Sequence, residues 1–396
     1  MRTTDLVQHT IIEDEAGLQR MVEENQAVEW MGFDTEFIGE KRFYTLLCLI
    51  QVATENGFYL IDTLKLKNID AFLALLQDPS IIKLTHAGEN DYRLMYQLYN
   101  IIPRNIFDIQ IAAGFIGYRF PISFQKLAER EIGVRVGKGY TVSDWEARPM
   151  NNKQIQYALN DVIYLKQIWD SICTKLEDMG RMAWAMNEMK LLESESYYQF
   201  DPHKEALHNS TISSLHIREQ AFMLRLYAWR RKEAERKNHS KEMVLANKYI
   251  GPIVRHIGSG KNALKNHRRI PDYIIKNKWD TFRKLYEKSV SQEERDILAR
   301  IPKLETDSQL DDTTLEVLHL LIKYKCQEQQ MAPDLVLNRT EFKKMKADLE
   351  YIDGRLETTW RKNFLGSFMI EWLKKREQLE IVFNESGCTI RLAEAN

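Results

Sequence analysis

Three apolar stretches near the start, Val28 to Phe37, Leu46 to Thr54 and Gly57 to Asp62, constrain the fold more than any other feature of the chain. All are rich in strand-forming residues, and they are joined by only eight and two residues. Parallel neighbours need a crossover of a dozen residues or more, so these strands form an antiparallel meander. An alternating pattern follows: a helix at Asn68–Leu76, a strand at Ile81–His86, a helix at Glu89–Tyr99 and a strand around Ile106. A meander feeding into alternation predicts an α/β domain built on a mixed sheet. Helical periodicity returns at Phe124–Ile132 and at Asn152–Met179, separated by a glycine-bearing loop, Gly133–Pro149.

From Leu215 onward the strand signal lapses. Leu215–Lys237 reads as one long amphipathic helix with Phe222, Leu226 and Trp229 along a face. Shorter helical pieces follow, broken at Gly251-Pro252, Gly258-Ser259-Gly260 and Pro271. The polar run Glu305–Thr314 reads as a linker, and a second all-helical unit extends from Leu315 to about Val382. The two helical units share a rhythm that suggests a diverged duplication. Boundaries are expected at 1–205, 206–300 and 301–396, a partition that suits 396 residues.

The overall charge of -1 hides a split. Residues 1–200 carry -8, residues 201–290 carry +11 and residues 291–396 carry -4. A basic middle between acidic flanks suits a polyanion-binding module, although a solvated helical surface would look the same. No apolar run approaches the ~18 residues that span a bilayer. The first residues are polar and acidic, and the cysteines at 48, 173, 326 and 388 offer neither a zinc pair nor a disulfide framework. A cytoplasmic protein with no membrane attachment and no obligate protein partner is expected.

Chemistry concentrates in a few acids. Asp34 and Glu36 flank Thr35 near the end of the first long strand, and the two-residue alternation puts both carboxylates on one face. Two like charges beside Trp30, Phe33 and Phe37 are costly unless a cation neutralises them. Taken alone the triplet is equally a solvated strand end, since Glu13-Asp14-Glu15 and Glu193-Ser194-Glu195 are similar. Asp91 follows the turn His86-Ala87-Gly88, where it is also a favourable first-turn helix acid. Tyr157 and Asp161 stand four apart on a helical stretch, which places phenol and carboxylate on a shared face or, equally, packs the tyrosine and exposes the acid. His86 reads as a structural hydrogen-bonding residue.

Together these segments resemble a known family. Phe33-Asp-Thr-Glu-Phe37, His86-Ala-Gly-x-x-Asp91 and Tyr157-Ala-x-x-Asp161-Val-x-Tyr164-Leu165 are similar to the three ordered motifs of DEDD exonucleases of the tyrosine-marked subgroup. Ser143-Asp-Trp-x-x-Arg148-Pro149 and Asp108-Ile-Gln-Ile-Ala112 resemble the ribonuclease D family in particular. The basic stretch at 211–290 is similar to the helical HRDC domain shared by RecQ-type helicases and ribonuclease D; Trp360-Arg-x-x-x-Leu365-Gly366 with Trp372-Leu373 resembles a second, diverged copy. His239-Ser-Lys-Glu242 stands where the first copy would carry a double proline.

The resemblance implies a ribonuclease H-like α/β exonuclease domain followed by two all-α HRDC-like domains. It implies two divalent cations, Mg²⁺ or Mn²⁺, with Asp34 shared between them, Glu36 and Asp161 completing one and Asp91 holding the other. Tyr157 would orient the attacking water. The implied activity is 3′–5′ exoribonuclease trimming of tRNA precursors and other structured RNAs with a free 3′ end, releasing nucleoside 5′-monophosphates. A DNA exonuclease and a non-catalytic RNA-binding scaffold are the alternatives. Candidate backbone contacts are Arg225, Arg230, Arg231, Lys232, Lys261, Lys265, Arg268 and Arg269.

Overall fold

The computed structural model describes residues 7–137, 144–301, 309–348, 351–384 and 387–392. Six strands form one mixed sheet: β1 (Thr10–Ile12), β2 (Trp30–Ile38), β3 (Leu46–Thr54), β4 (Gly57–Ile61), β5 (Ile82–Thr85) and β6 (Ile106–Asp108), in the order β1-β4-β3-β2-β5-β6. β3 and β4 pair antiparallel through the two-residue turn, as their connection requires, while β2, β5 and β6 pair in parallel. Eight of the nine β3 residues are buried, the pattern of a strand covered on both faces. The parallel strands leave room for helical crossovers, α2 (Asp70–Gln77) and α3 (Glu89–Tyr99).

The expected helix Asn152–Met179 is interrupted. α6 (Asn152–Asn160) opens with Asn151 capping the amides of Lys153 and Gln154, and it stops at Asp161. A turn then leads into α7 (Leu165–Asp178). Val162 and Ile163 lie in this turn, where two β-branched residues in succession favour a break. The linker expected at Glu305–Thr314 is helical from Gln309, as part of the helix Gln309–Glu328. At the far end, helical structure stops at Gln378. Leu379–Asn384 and Gly387–Leu392 form an antiparallel hairpin where the sequence suggested helix as far as Val382.

Two compact units emerge. One comprises residues 1–37, 47–198 and 306–396; the other comprises 38–46 and 199–305. In the first, the C-terminal segment shares a hydrophobic core with the sheet domain, where Trp30, Leu84 and Ile168 belong to the same cluster as Leu335, Trp360 and Phe364. Gly114 permits this approach, since a Cβ there would sit 2.5 Å from Leu335 Cδ1. Arg361 seals the junction, donating to both carboxylate oxygens of Glu188 at 2.7 Å and to the Leu335 carbonyl.

The second unit is built around the helix Ile217–Lys237, which buries Phe222 and Leu226. Trp229 meets Phe282 of the helix Asp272–Glu287 edge-on at 5.4 Å. The loop leaving β2 belongs to this unit by its contacts. Ser240 N donates to the Lys41 carbonyl at 3.1 Å, and Tyr44 N donates to Asn238 Oδ1 at 3.0 Å.

Candidate active site

The acids converge at the end of the sheet. Asp34, Glu36 and Asp161 each offer a carboxylate oxygen, and these oxygens all lie within 4.8 Å of one another. The alternation of β2 supplies the first two, as expected. Asp161 reaches them because it ends α6 with a still-helical backbone, which preserves its four-residue relation to Tyr157. Asp91, in the first turn of α3, is buried and accepts a hydrogen bond from the Thr35 hydroxyl. Thr35 points opposite to its two acidic neighbours and is itself buried. The same triplet therefore provides two candidate ligands on one face and a tether for a third acid on the other.

Asp91 depends on a tightly held turn. Ala87 adopts a left-handed backbone at φ 59°, and its amide and that of Gly88 donate to the Asp108 carboxylate at 3.1 and 2.9 Å. Asp108 also caps α4 (Ile109–Phe115) through Gln110 N at 2.8 Å. A Cβ at position 88 would lie 2.6 Å from both Thr85 Oγ1 and the Tyr92 hydroxyl, so only glycine fits. His86 is occupied by a ring nitrogen contact of 3.0 Å with the Ile122 carbonyl, the structural role expected of it.

On the Tyr157 side, the Trp145 ring lies 6.1 Å from that of Tyr157. Arg148 anchors this segment, with two hydrogen bonds to the buried Asp62 carboxylate and one to the Cys48 carbonyl at 2.9 Å. Ser143, quoted with Trp145 and Arg148 in the sequence motif, lies outside the described residues. The tethering by Thr35, the turn-pinning by Asp108 and the Arg148–Asp62 clamp were not read from the sequence as roles. The quoted motifs flagged Asp108 and Arg148, but nothing in the sequence pairs either with its distant partner.

Electrostatically the cluster is frustrated. Burial, then Asp91, Asp161 and Glu36, push the Asp34 carboxyl well above the usual range. Burial followed by the neighbouring acids raises Glu36 to about 8. Asp161 rises to about 7 through burial and the Asp91 charge, and Asp91 to about 7 through burial, which outweighs the stabilising Thr35 hydrogen bond. Among the described residues no Lys or Arg pairs with any of the four. Oxygen-only donors crowded in this way, without sulfur or imidazole, fit hard divalent cations such as Mg²⁺ or Mn²⁺. Burial and the adjacent carboxylates also push the Tyr157 phenol upward, so it remains protonated near neutral pH with a proton available to donate.

The eight basic candidates divide. Arg225 is bound to both Glu294 oxygens at 2.6 Å and to the carbonyls of Leu285, Lys288 and Ser289. Arg230, whose side chain is 2% exposed, donates to the Lys241 carbonyl, Asn247 Oδ1 and Glu242. Arg225 has every guanidinium donor engaged and Arg230 is buried among its partners, so both hold the helical unit together, which speaks against their assignment as RNA contacts. Arg231 lies over the Phe200 ring. Lys232, Lys261, Lys265, Arg268 and Arg269 are solvent-exposed.

A family model described as 3′-5′ exonuclease matches residues 9–177. Ribonuclease D of Nitrobacter hamburgensis is 28% identical over 364 residues, covering 91% of this chain and 93% of its own. Ribonuclease D of Sphingobium indicum is 32% identical over 251 residues, covering 63% of this chain and 64% of its own. Among solved structures, Escherichia coli RNase D, described as an exoribonuclease involved in structured RNA processing, superimposes with a TM-score of 0.80 at 22% identity, covering 93% of this chain and 99% of that one. The arrangement of a mixed-sheet domain with a helix-rich C-terminal region is thus that of a known fold.

Proposed function

We propose that this chain, which belongs to the ribonuclease D family and is a 3′–5′ exoribonuclease, trims tRNA precursors and other structured RNAs by two-metal-ion hydrolysis at the acidic cluster. The observation that carries this reading is the gathering of three carboxylate oxygens within 4.8 Å of one another, with Asp91 tethered beside them and no basic partner among the described residues. Asp34 would be shared between two cations, with Glu36 and Asp161 completing one site and Asp91 contributing to the other. Bound divalent cations acidify water and neutralise charge on the phosphoryl oxygens.

The chain's own residues supply the remainder. Tyr157, kept protonated by its surroundings, donates a hydrogen bond that orients the attacking water. Thr35 and Asp108 fix Asp91 from opposite sides, the first through its side chain and the second through the turn before it. Trp145 and the Arg148–Asp62 clamp support the helix that presents Tyr157. The exposed cations Lys232, Lys261, Lys265, Arg268 and Arg269 hold the RNA by its phosphates, with no sequence reading required. This assigns the exonuclease role to 1–205 and RNA holding to an HRDC-like module at 206–300, with 301–396 as a second, diverged copy.

Matched labelled RNAs with free and blocked 3′ ends provide the test, each incubated with Mg²⁺ or with EDTA. Nucleoside 5′-monophosphates should leave only the free-ended RNA, and only with metal present. Release from blocked ends, or release in EDTA, would reject the proposal. A DNA strand of the same sequence, run in parallel, separates ribonuclease from deoxyribonuclease activity.

A further inference from the structure

The loop leaving the catalytic strand carries an exposed aromatic group that the hydrolytic site does not use. It begins two residues after Glu36 and belongs to the basic helical unit. Phe43 and Tyr44 are packed edge-to-face with ring centres 5.1 Å apart. Arg231 lies 3.7 Å from the centre of the Phe200 ring and 5.7 Å from that of Phe43. Tyr44 and Phe200 nevertheless leave 52% and 53% of their surface in water. Fastening the loop does not explain this exposure, because backbone bonds from Ser240 and to Asn238 already hold it, and the Tyr44 hydroxyl donates to Glu235 at 3.1 Å. The cations nearby in sequence, Lys41 and Lys232, are exposed.

We propose that Phe43, Tyr44, Phe200 and Arg231 form a stacking platform for unpaired bases of the RNA substrate, a role that rests on the functional reading above. Aromatic faces accept any base, and a guanidinium among them adds stacking and cation–π attraction, so the platform holds single-stranded RNA without selecting its sequence. Charge complementarity with the exposed lysines favours a polyanion over an apolar protein partner. The loop is continuous in sequence with β2, the strand that carries Asp34 and Glu36.

The test is fluorescence anisotropy of a labelled, unstructured RNA with the full chain, in EDTA so that hydrolysis does not intrude. Tyr44→Ala and Phe200→Ala should each weaken binding about tenfold while leaving the dependence on salt unchanged, because neither removes a phosphate contact. Tyr44→Phe, which keeps the ring and loses the bond to Glu235, should bind within about twofold of wild type, since base stacking needs only the ring. Unchanged affinity in the alanine variants would overturn the platform. So would a loss in Tyr44→Phe equal to that in Tyr44→Ala, because the hydroxyl bond would then be responsible. Wild-type failure to degrade RNA in Mg²⁺, with the anisotropy series behaving as expected, would break the functional reading and leave the platform standing.

Discussion

Buried charge is handled in opposite ways in two regions of this molecule. At the end of the sheet, Asp34, Glu36, Asp91 and Asp161 crowd together with no basic partner among the described residues, and burial together with their mutual repulsion pushes their carboxyls upward. In the helical parts, Arg225, Arg230 and Arg361 are as deeply placed, yet every one is matched by carboxylates and carbonyls. Removing a charge from water is costly in either case. Where the chain meets that cost internally, the group is structural. Where it leaves the cost to an outside ion, the group is available for chemistry.

The sharpest way to break this contrast is to neutralise one acid. Asp34→Asn or Asp161→Asn should reduce hydrolysis by about 10³-fold or more, the loss of several kcal/mol of metal-assisted stabilisation, with RNA binding retained in anisotropy. The same Asp34→Asn change should raise the melting temperature of the metal-free protein, because it relieves repulsion. On the partnered side the sign reverses. Arg361→Ala leaves the Glu188 carboxylate with only the Trp360 indole N–H in place of its counter-charge and should cost about 3–5 kcal/mol in denaturant unfolding, and the double change Arg361→Met with Glu188→Met should recover much of it.

A smaller effect is expected at Tyr157. Tyr157→Phe should slow turnover about 10²-fold at unchanged KM if the phenol orients water; an unchanged rate would reduce it to packing. The pH response separates the regions further. The raised carboxyls hold protons that the unfolded chain has already released, so the metal-free protein should lose stability as pH rises from about 5 to 8. Added Mg²⁺ should reverse that loss, and a flat profile would argue against the cluster. Smallest of all, Lys261→Ala and Lys265→Ala should each weaken RNA binding severalfold and lower its salt slope by about one, whereas Arg225→Ala should act on stability.

The acidic set was legible in the sequence because its signal is local: alternation places Asp34 with Glu36, and helical spacing places Tyr157 with Asp161. Motif order then joined segments that periodicity alone could not. The strand meander was equally legible, since short connections leave few topologies. The basic set was less so. A lysine or arginine in a helical repeat looks the same whether it faces phosphate or Glu294, and the partners of Arg225 and Arg230 depend on tertiary packing. The same limit hid the hairpin Leu379–Asn384 with Gly387–Leu392 and the helical start at Gln309, where tertiary context overrides propensity. The break after α6 instead coincides with the β-branched pair Val162-Ile163, a local signal that the helical periodicity on either side masked.

Calorimetric titration of Mn²⁺ into the full chain and into Asp34→Asn is the most direct measurement. Saturable binding by wild type, lost or reduced at least tenfold in the variant, is the predicted result. Equal binding by both proteins, or none by wild type, would contradict the assignment of these carboxylates as the cation site.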